Sequence, residues 1–260
     1  KNMKKKFGQN FLNNQIIIDQ IITSANITNN SLVYEVGPGD GALSREIVKI
    51  NPKKYLAVEI DKGLIQKLDD VFVKKEHSIM NEDALQFDET SVFSKNATII
   101  SNLPYNISLK LLLKWINQYI TNPWFDQMIL MFQKEVGERI LSEENSKKYG
   151  RISLIVSAFF QCSKILDINK NDFFPVPKVD SVMIKFVPLK KTIINDKNIH
   201  KLELLSKTLF ANRRKKLKNK IKQLFDDRVI EANKLDQYFD LRAENISKEN
   251  FYQLAKLLKD

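Results

Sequence analysis

Between residues 31 and 189, short β-branched runs alternate with longer stretches of helical periodicity, and this alternation constrains the fold more than any other feature of the chain. Strands separated by helices pair in parallel, so the pattern predicts a mostly parallel sheet with helices covering its faces. The expected strands are residues 32–35, 55–59, 79–81, 98–101, 128–132, 165–168 and 182–187. Residues 190–198 are polar and aperiodic and mark a domain boundary. Beyond them the pattern is helical.

The sequence Asn102-Leu103-Pro104-Tyr105 follows the apolar run Ala97-Thr98-Ile99-Ile100, at the carboxyl end of a strand where open α/β sheets bind ligands. The exocyclic amine of adenine or cytosine is a poor nucleophile because its lone pair is delocalised into the ring. A carboxamide oxygen and a main-chain carbonyl that accept its two N–H bonds orient that lone pair outward. Asn102 and Leu103 can supply those two acceptors. Pro104 fixes its own φ and biases Leu103 away from helix, which holds the carbonyl in place. Tyr105 offers a face for an extruded base. Leu109, Leu112, Leu113 and Ile116 then form the apolar face of a helix capped by Ser108.

Glu35-Val36-Gly37-Pro38-Gly39-Asp40-Gly41 follows the first of these strands and opens a helix, so Gly37 and Gly39 let the backbone turn sharply beside a ligand. Glu59 ends the next strand, where a carboxylate can accept both ribose hydroxyls of a nucleoside. Asp83 follows the third and can receive an adenine amine. Pyrophosphate recognition calls for G-x-G-x-x-G; here the third glycine comes one residue early, and Glu35 precedes the loop. A carboxylate suits a sulfonium better than a pyrophosphate, so these residues favour S-adenosylmethionine over a dinucleotide.

In Asp172-Phe173-Phe174-Pro175-Val176-Pro177 a proline-stiffened loop carries two aromatic rings, and Phe173 or Phe174 can cover the face of the base opposite Tyr105. Ahead of the first strand, Lys5-Lys6-Phe7-Gly8-Gln9-Asn10-Phe11-Leu12 mixes cations, aromatics and amides. Such an arm can cross a bound cofactor and face RNA phosphates. Phe210, Leu217, Ile221 and Leu224 read as one apolar stripe of a helix whose remaining circumference carries Arg213, Arg214, Lys215, Lys216, Lys218, Lys220 and Lys222, a surface suited to tracking phosphates.

A formal net charge of +11 favours a polyanionic partner. Cys162 is the sole cysteine, read as a small buried apolar residue, and the histidines His77 and His200 lie far apart. Neither a disulfide framework nor a zinc site can be assembled from them. No apolar run approaches the roughly 20 residues of a membrane span, and Lys4-Lys5-Lys6 leads into polar sequence. A soluble, cytoplasmic protein is expected.

In order along the chain, these motifs resemble the KsgA-type small-subunit ribosomal RNA adenine dimethyltransferases. The resemblance runs from Phe7 to about Leu258. It rests on Phe7-Gly8-Gln9-Asn10-Phe11-Leu12, Glu35 to Gly41, Asn102-Leu103-Pro104-Tyr105-Asn106-Ile107-Ser108 and Gln133-Lys134-Glu135-Val136. Tyr149-Gly150-Arg151, Pro177-Lys178-Val179-Asp180-Ser181 and Arg242-Ala243-Glu244-Asn245 complete it.

The resemblance implies a Rossmann-like S-adenosylmethionine-dependent methyltransferase sheet over residues 31–189, preceded by an arm and first helix (1–30) and followed by a small all-α RNA-binding domain (190–260). It implies cofactor contacts from Asn10, Leu12, Gly37, Glu59 and Asp83, with Asn102 at the junction of cofactor and target, and a base clamp of Tyr105 and Phe173. The implied activity is dimethylation of two adjacent adenosines near the 3′ end of small-subunit rRNA, by a monomer acting on a precursor particle. A large-subunit rRNA methyltransferase of the antibiotic-resistance type shares the glycine loop and a similar Asn-x-Pro turn. A non-catalytic assembly factor and a dinucleotide oxidoreductase are the remaining alternatives. The intact turn and loop weigh against the first of these, and the basic stretch against the second.

Overall fold

A computed structural model describes residues 9–259. In chain order these form β1 (Phe11–Leu12), α1 (Gln15–Ala25), β2 (Leu32–Val36), α2 (Ala42–Ile50), β3 (Lys54–Glu59), α3 (Lys62–Ile65) and β4 (His77–Asn81). Next come β5 (Ala97–Ser101), α4 (Ser108–Thr121), β6 (Phe125–Gln133), α5 (Lys134–Ile140), α6 (Arg151–Ser157), β7 (Phe160–Ile168), β8 (Phe173–Phe174) and β9 (Ser181–Pro188). The helices α7 (Ile199–Phe210), α8 (Lys218–Leu224), α9 (Asp227–Ala232) and α10 (Lys248–Leu257) follow.

Seven strands form one sheet in the order β4-β3-β2-β5-β6-β9-β7, and each corresponds to a strand expected from the sequence. The pairs from β4 through β6 are parallel and β9 runs antiparallel to β6. Parallel strands are covered on both faces and therefore read as continuous apolar runs; every residue of β5 is buried. The strand order reverses at β2, which has β3 on one side and β5 on the other. The carboxyl ends of β2 and β5 thus flank a topological switch point, the crevice where such sheets bind ligands.

The chain divides into two compact units, residues 1–137 with 162–187, and residues 138–161 with 188–260. This differs from the sequence-based division at both ends. Residues 9–30 are integral to the sheet unit: Ile17, Ile18 and Ile21 of α1 share a core cluster with Val33, Leu43 and Ile47. The side chain of Asn14 caps α1 and donates to Asp172 Oδ1 at 2.8 Å, which docks β1 against β8. Residues 138–161, assigned to the sheet domain on sequence, belong with the carboxyl-terminal helices. Lys248 pairs with Glu143 at 2.7 Å, and the Tyr252 hydroxyl donates to the Leu154 carbonyl at 3.0 Å.

Two helices also depart from expectation. In α4 the cap position is Ile107, and the Ser108 hydroxyl instead donates to the Tyr105 carbonyl at 3.1 Å. The buried face is Leu111, Leu112, Trp115 and Ile116, leaving Leu109 and Leu113 half-buried. The single basic helix does not exist. Asn212 takes a left-handed conformation (φ 52°) and Ala211 is extended, so α7 ends at Phe210 and α8 begins at Lys218. Arg213, Arg214, Lys215 and Lys216 lie in the intervening turn. Cys162 is only half-buried, on β7; His77 is buried and hydrogen-bonded to the Pro52 carbonyl, and His200 is exposed.

Candidate active site

A cleft lies at the switch point of the sheet, with about 1100 Å³ of empty space including its open mouth. One wall is the glycine loop behind β2. Gly37, Gly39 and Gly41 all have positive φ, and a Cβ on Gly39 would stand 3.0 Å from the ring of Phe11. Another residue would strain this left-handed backbone and press its Cβ on that ring, so the position favours glycine. The loop is tied to the neighbouring turn by the Ser101 hydroxyl, which donates to the Val36 carbonyl.

Glu59 ends β3 with only 3% of its surface exposed, yet it lines the cleft. Its Oε2 accepts the Gly39 amide at 3.3 Å and its Oε1 the Asp61 amide at 2.9 Å. A carboxylate has about four lone-pair sites, so acceptor capacity remains for ribose hydroxyls. Burial raises its pKa, against the lowering effect of those amides. Asp83 accepts the Leu85 amide at 2.9 Å through Oδ1, while its second oxygen has no protein partner among the described residues. Glu35 lines the same wall but is turned inward, 1% exposed, accepting the Ser44 hydroxyl at 2.7 Å and the Tyr55 hydroxyl. Burial pushes its pKa up to about 7.

The facing wall is the turn after β5, with Asn102, Leu103, Pro104 and Tyr105 all lining the cleft. Asn102 Nδ2 donates to the Asn10 carbonyl at 3.2 Å. That bond fixes the flip of the amide. Asn102 Oδ1 and the Leu103 carbonyl are left without a protein partner among the described residues. Tyr105 is half-buried, its hydroxyl 2.6 Å from Ser181 Oγ. Asn10 and Leu12 also line the cleft, and Phe11, for which the sequence reading proposed no contact, lies over Gly39. Its place inside the arm motif was the available signal. Ser181, whose contact with Tyr105 the sequence pattern did not indicate, ends the Pro177-Lys178-Val179-Asp180-Ser181 motif. Glu82 and Asp40 are further lining residues, each adjacent to or within a motif already recognised.

The clamp differs from expectation. Strand alternation on β8 sends Phe173 into the core, 1% exposed beside Leu12, and leaves Phe174 59% exposed. Phe173 is not part of the cleft lining.

The basic stretch is partly committed to the protein itself. Arg213 pairs with Glu244 at 3.1 Å and Lys216 with Asp240 at 2.6 Å. Lys220 donates to the Leu209 carbonyl at 2.7 Å and to the Ala211 carbonyl, closing the end of α7. Arg214, Lys215, Lys218 and Lys222 form no ion pair among the described residues and remain exposed. Lys5 and Lys6 lie outside the described residues.

A cleft at the switch point of a parallel sheet, with an acidic wall facing an Asn-Leu-Pro-Tyr turn, defines a Rossmann-like S-adenosylmethionine-dependent methyltransferase. The residues fit that cofactor: the lining presents carboxyl groups to a cation, and Glu59 and Asp83 retain acceptor capacity for ribose and adenine. The family model for ribosomal RNA adenine dimethylase matches residues 1–260. The chain is 39% identical to ribosomal RNA small subunit methyltransferase A of Pelagibacter ubique (strain HTCC1062), over 99% of this chain and 97% of that protein. It is also 39% identical to the protein of that name from Mycoplasmopsis pulmonis (strain UAB CTIP), over 96% and 97%. Among solved structures it is similar to a dimethyladenosine transferase from Plasmodium falciparum, with a TM-score of 0.78, 26% identity and coverage of 94% and 95%. The 23S rRNA methyltransferase ErmE shares the fold at a TM-score of 0.71 and 21% identity. The chain belongs to the ribosomal RNA adenine dimethylase family, and its activity is S-adenosylmethionine-dependent dimethylation of rRNA adenine.

Proposed function

We propose that the target adenine is held with its exocyclic amine between Asn102 Oδ1 and the Leu103 carbonyl, and its ring against Tyr105. The observation that carries this reading is that two adjacent acceptors in the cleft wall have no protein partner among the described residues. Acceptors in a cleft wall that no protein group satisfies are free to accept from water or a ligand. The two N–H bonds of an adenine amine match them in number and kind. Accepting both orients the lone pair and stabilises the positive charge that grows on nitrogen during attack.

S-adenosylmethionine, when bound, supplies an electrophilic methyl carbon on a cationic sulfur. The methylated nitrogen becomes acidic enough to pass its proton to water, so no side chain need act as a strong base. Tyr105 is kept from rotating by its Ser181 contact. Phe174 is likewise outside the cleft lining, but it is exposed and pairs in register with Phe11, which lines the cleft, and we assign it the opposite face of the base. Stacking of that kind contributes about 1–3 kcal/mol per base, enough to offset much of the cost of extrusion.

The relatives' names carry the small subunit, and the substrate we assign is a pair of adjacent adenosines near the 3′ end of small-subunit rRNA in a precursor particle. The protein acts as a monomer in the cytoplasm. Incubation with labelled methyl donor and each immature subunit tests this. Label is expected in small-subunit RNA, and label in large-subunit RNA instead overturns it.

Arg214, Lys215, Lys218 and Lys222 are the cations assigned to the RNA backbone, with Lys5 and Lys6 of the arm. If the first four each neutralise one phosphate, log affinity falls with log salt with a slope of about −3. Filter binding over a salt series measures it. A flat response removes these residues from the interface.

A further inference from the structure

Five carboxyl groups line the cleft, those of Glu35, Asp40, Glu59, Glu82 and Asp83, and no lysine, arginine or histidine joins them among the described residues. Such a lining favours a ligand with net positive charge over a neutral one of the same shape. The methyl donor carries a sulfonium, an ammonium and a carboxylate, net +1, whereas the thioether that remains after transfer is net neutral. The two ligands differ chiefly by one methyl and one charge, so charge is the principal handle by which the cleft can tell them apart.

Glu35 is the most enclosed member of the set, with 1% of its surface exposed. The hydroxyls of Ser44 from α2 and Tyr55 from β3 donate to it. Glu59 from β3 and Asp40 from the glycine loop face it as like charges. Its neighbours across β2 are Ala57 and Ile100, which bring no charge. Burial and the two acidic neighbours favour the protonated carboxyl, and the two hydroxyls favour the carboxylate; the balance falls near neutrality, at about 7.

We propose that binding of the cationic methyl donor expels a proton from the Glu35 carboxyl to solvent, and that conversion to the neutral thioether lets Glu35 take a proton back, so that this side chain sets the preference of the cleft for donor over product. The inference rests on the reading of the cleft as the donor seat. The direction follows from linkage. A cation lowers the pKa of Glu35, so donor affinity rises as pH increases through about 7 and levels off above it. Product affinity changes little over the same range.

Isothermal titration calorimetry of the whole protein with S-adenosylmethionine and with S-adenosylhomocysteine, near pH 7 in phosphate and in Tris, reads the proton directly. These buffers differ in ionisation enthalpy. The donor is expected to release a fraction of a proton per site that falls as pH rises above about 7, and the product close to none. Glu35→Gln is expected to abolish the difference between buffers. Should that variant fail to fold, Tyr55→Phe removes a hydroxyl that favours the carboxylate, and donor-linked proton release at about pH 8 is expected to increase. Donor binding with equal enthalpies in both buffers overturns the proposal while leaving the donor seat standing. Absence of donor binding overturns both. Release that persists in Glu35→Gln, or is unchanged at about pH 8 in Tyr55→Phe, overturns the assignment to Glu35.

Discussion

Asn102→Ala is expected to lower single-turnover methylation by about 100-fold, the effect of deleting one preorganised polar group aimed at the reacting atom, while RNA affinity stays within about twofold. The split follows from geometry. The cations we assign to RNA phosphates lie elsewhere in the chain, so on that reading the variant keeps its electrostatic attraction for RNA. What it loses is one of the two acceptors proposed for the amine, which leaves the Leu103 carbonyl to orient it alone. The substitution also removes the hydrogen bond from Asn102 to the Asn10 carbonyl at 3.2 Å, which loosens Asn10 in the cleft wall and predicts a smaller rise in the donor's dissociation constant. Asn102→Asp separates these contributions. It retains an acceptor oxygen but replaces the donating Nδ2 with a second oxygen against the Asn10 carbonyl. Turnover in Asn102→Ala equal to that of the parent protein removes Asn102 from the reaction.

The sheet was legible in the sequence because parallel strands are buried on both faces, and runs such as Ala97-Thr98-Ile99-Ile100 announce themselves without periodicity. The two-residue strands β1 and β8 were not, since two residues carry no pattern. Their pairing nevertheless decides which of Phe173 and Phe174 is buried. Phe210, Leu217, Ile221 and Leu224 fit a helical stripe in spacing, and neither glycine nor proline interrupts residues 211–217 to betray the break. Asn212, a residue tolerant of left-handed backbone, was the one local sign. The neutralisation of Arg213 and Lys216 depends on carboxylates 31 and 24 residues away, and the grouping of residues 138–161 with α10 on contacts such as Glu143 with Lys248, 105 apart. Those are tertiary facts. The place of Glu35 beside the glycine loop was legible, and it lines the cleft. Its inward turn depends on Ser44 and Tyr55, which no local motif connects to it.

Glu89→Ala is expected to cost about 3–5 kcal/mol in urea-induced unfolding, the usual effect of removing one partner of a buried ion pair. Glu89 is fully buried and pairs with Lys114 of α4 at 2.8 Å. It also accepts Trp115 Nε1 at 2.7 Å, Gln118 Nε2 at 2.9 Å and the Tyr34 hydroxyl at 3.2 Å. Removing the carboxylate leaves a mostly buried ammonium and several donors without an acceptor. Lys114→Met leaves the converse, an unpaired carboxylate, and belongs in the same range. Glu89→Ala combined with Lys114→Met removes both charges and is expected to cost less than the two single changes added together; strict additivity would mean that the pair is not coupled. The consequence extends to function, because Lys114 Nζ also donates to the Ala84 carbonyl at 2.7 Å and to the Phe87 carbonyl. Glu82, Asp83, Ala84 and Leu85 line the cleft, and α4 begins directly behind the Asn-Leu-Pro-Tyr turn. One ammonium therefore ties the 82–87 segment of the cleft wall to the helix that follows the Asn-Leu-Pro-Tyr turn. In the charge-free double variant, which retains the fold but not this brace, the donor's dissociation constant is expected to rise about tenfold, equivalent to about 1.4 kcal/mol. Donor affinity equal to that of the parent protein would reduce Lys114 to a purely structural residue.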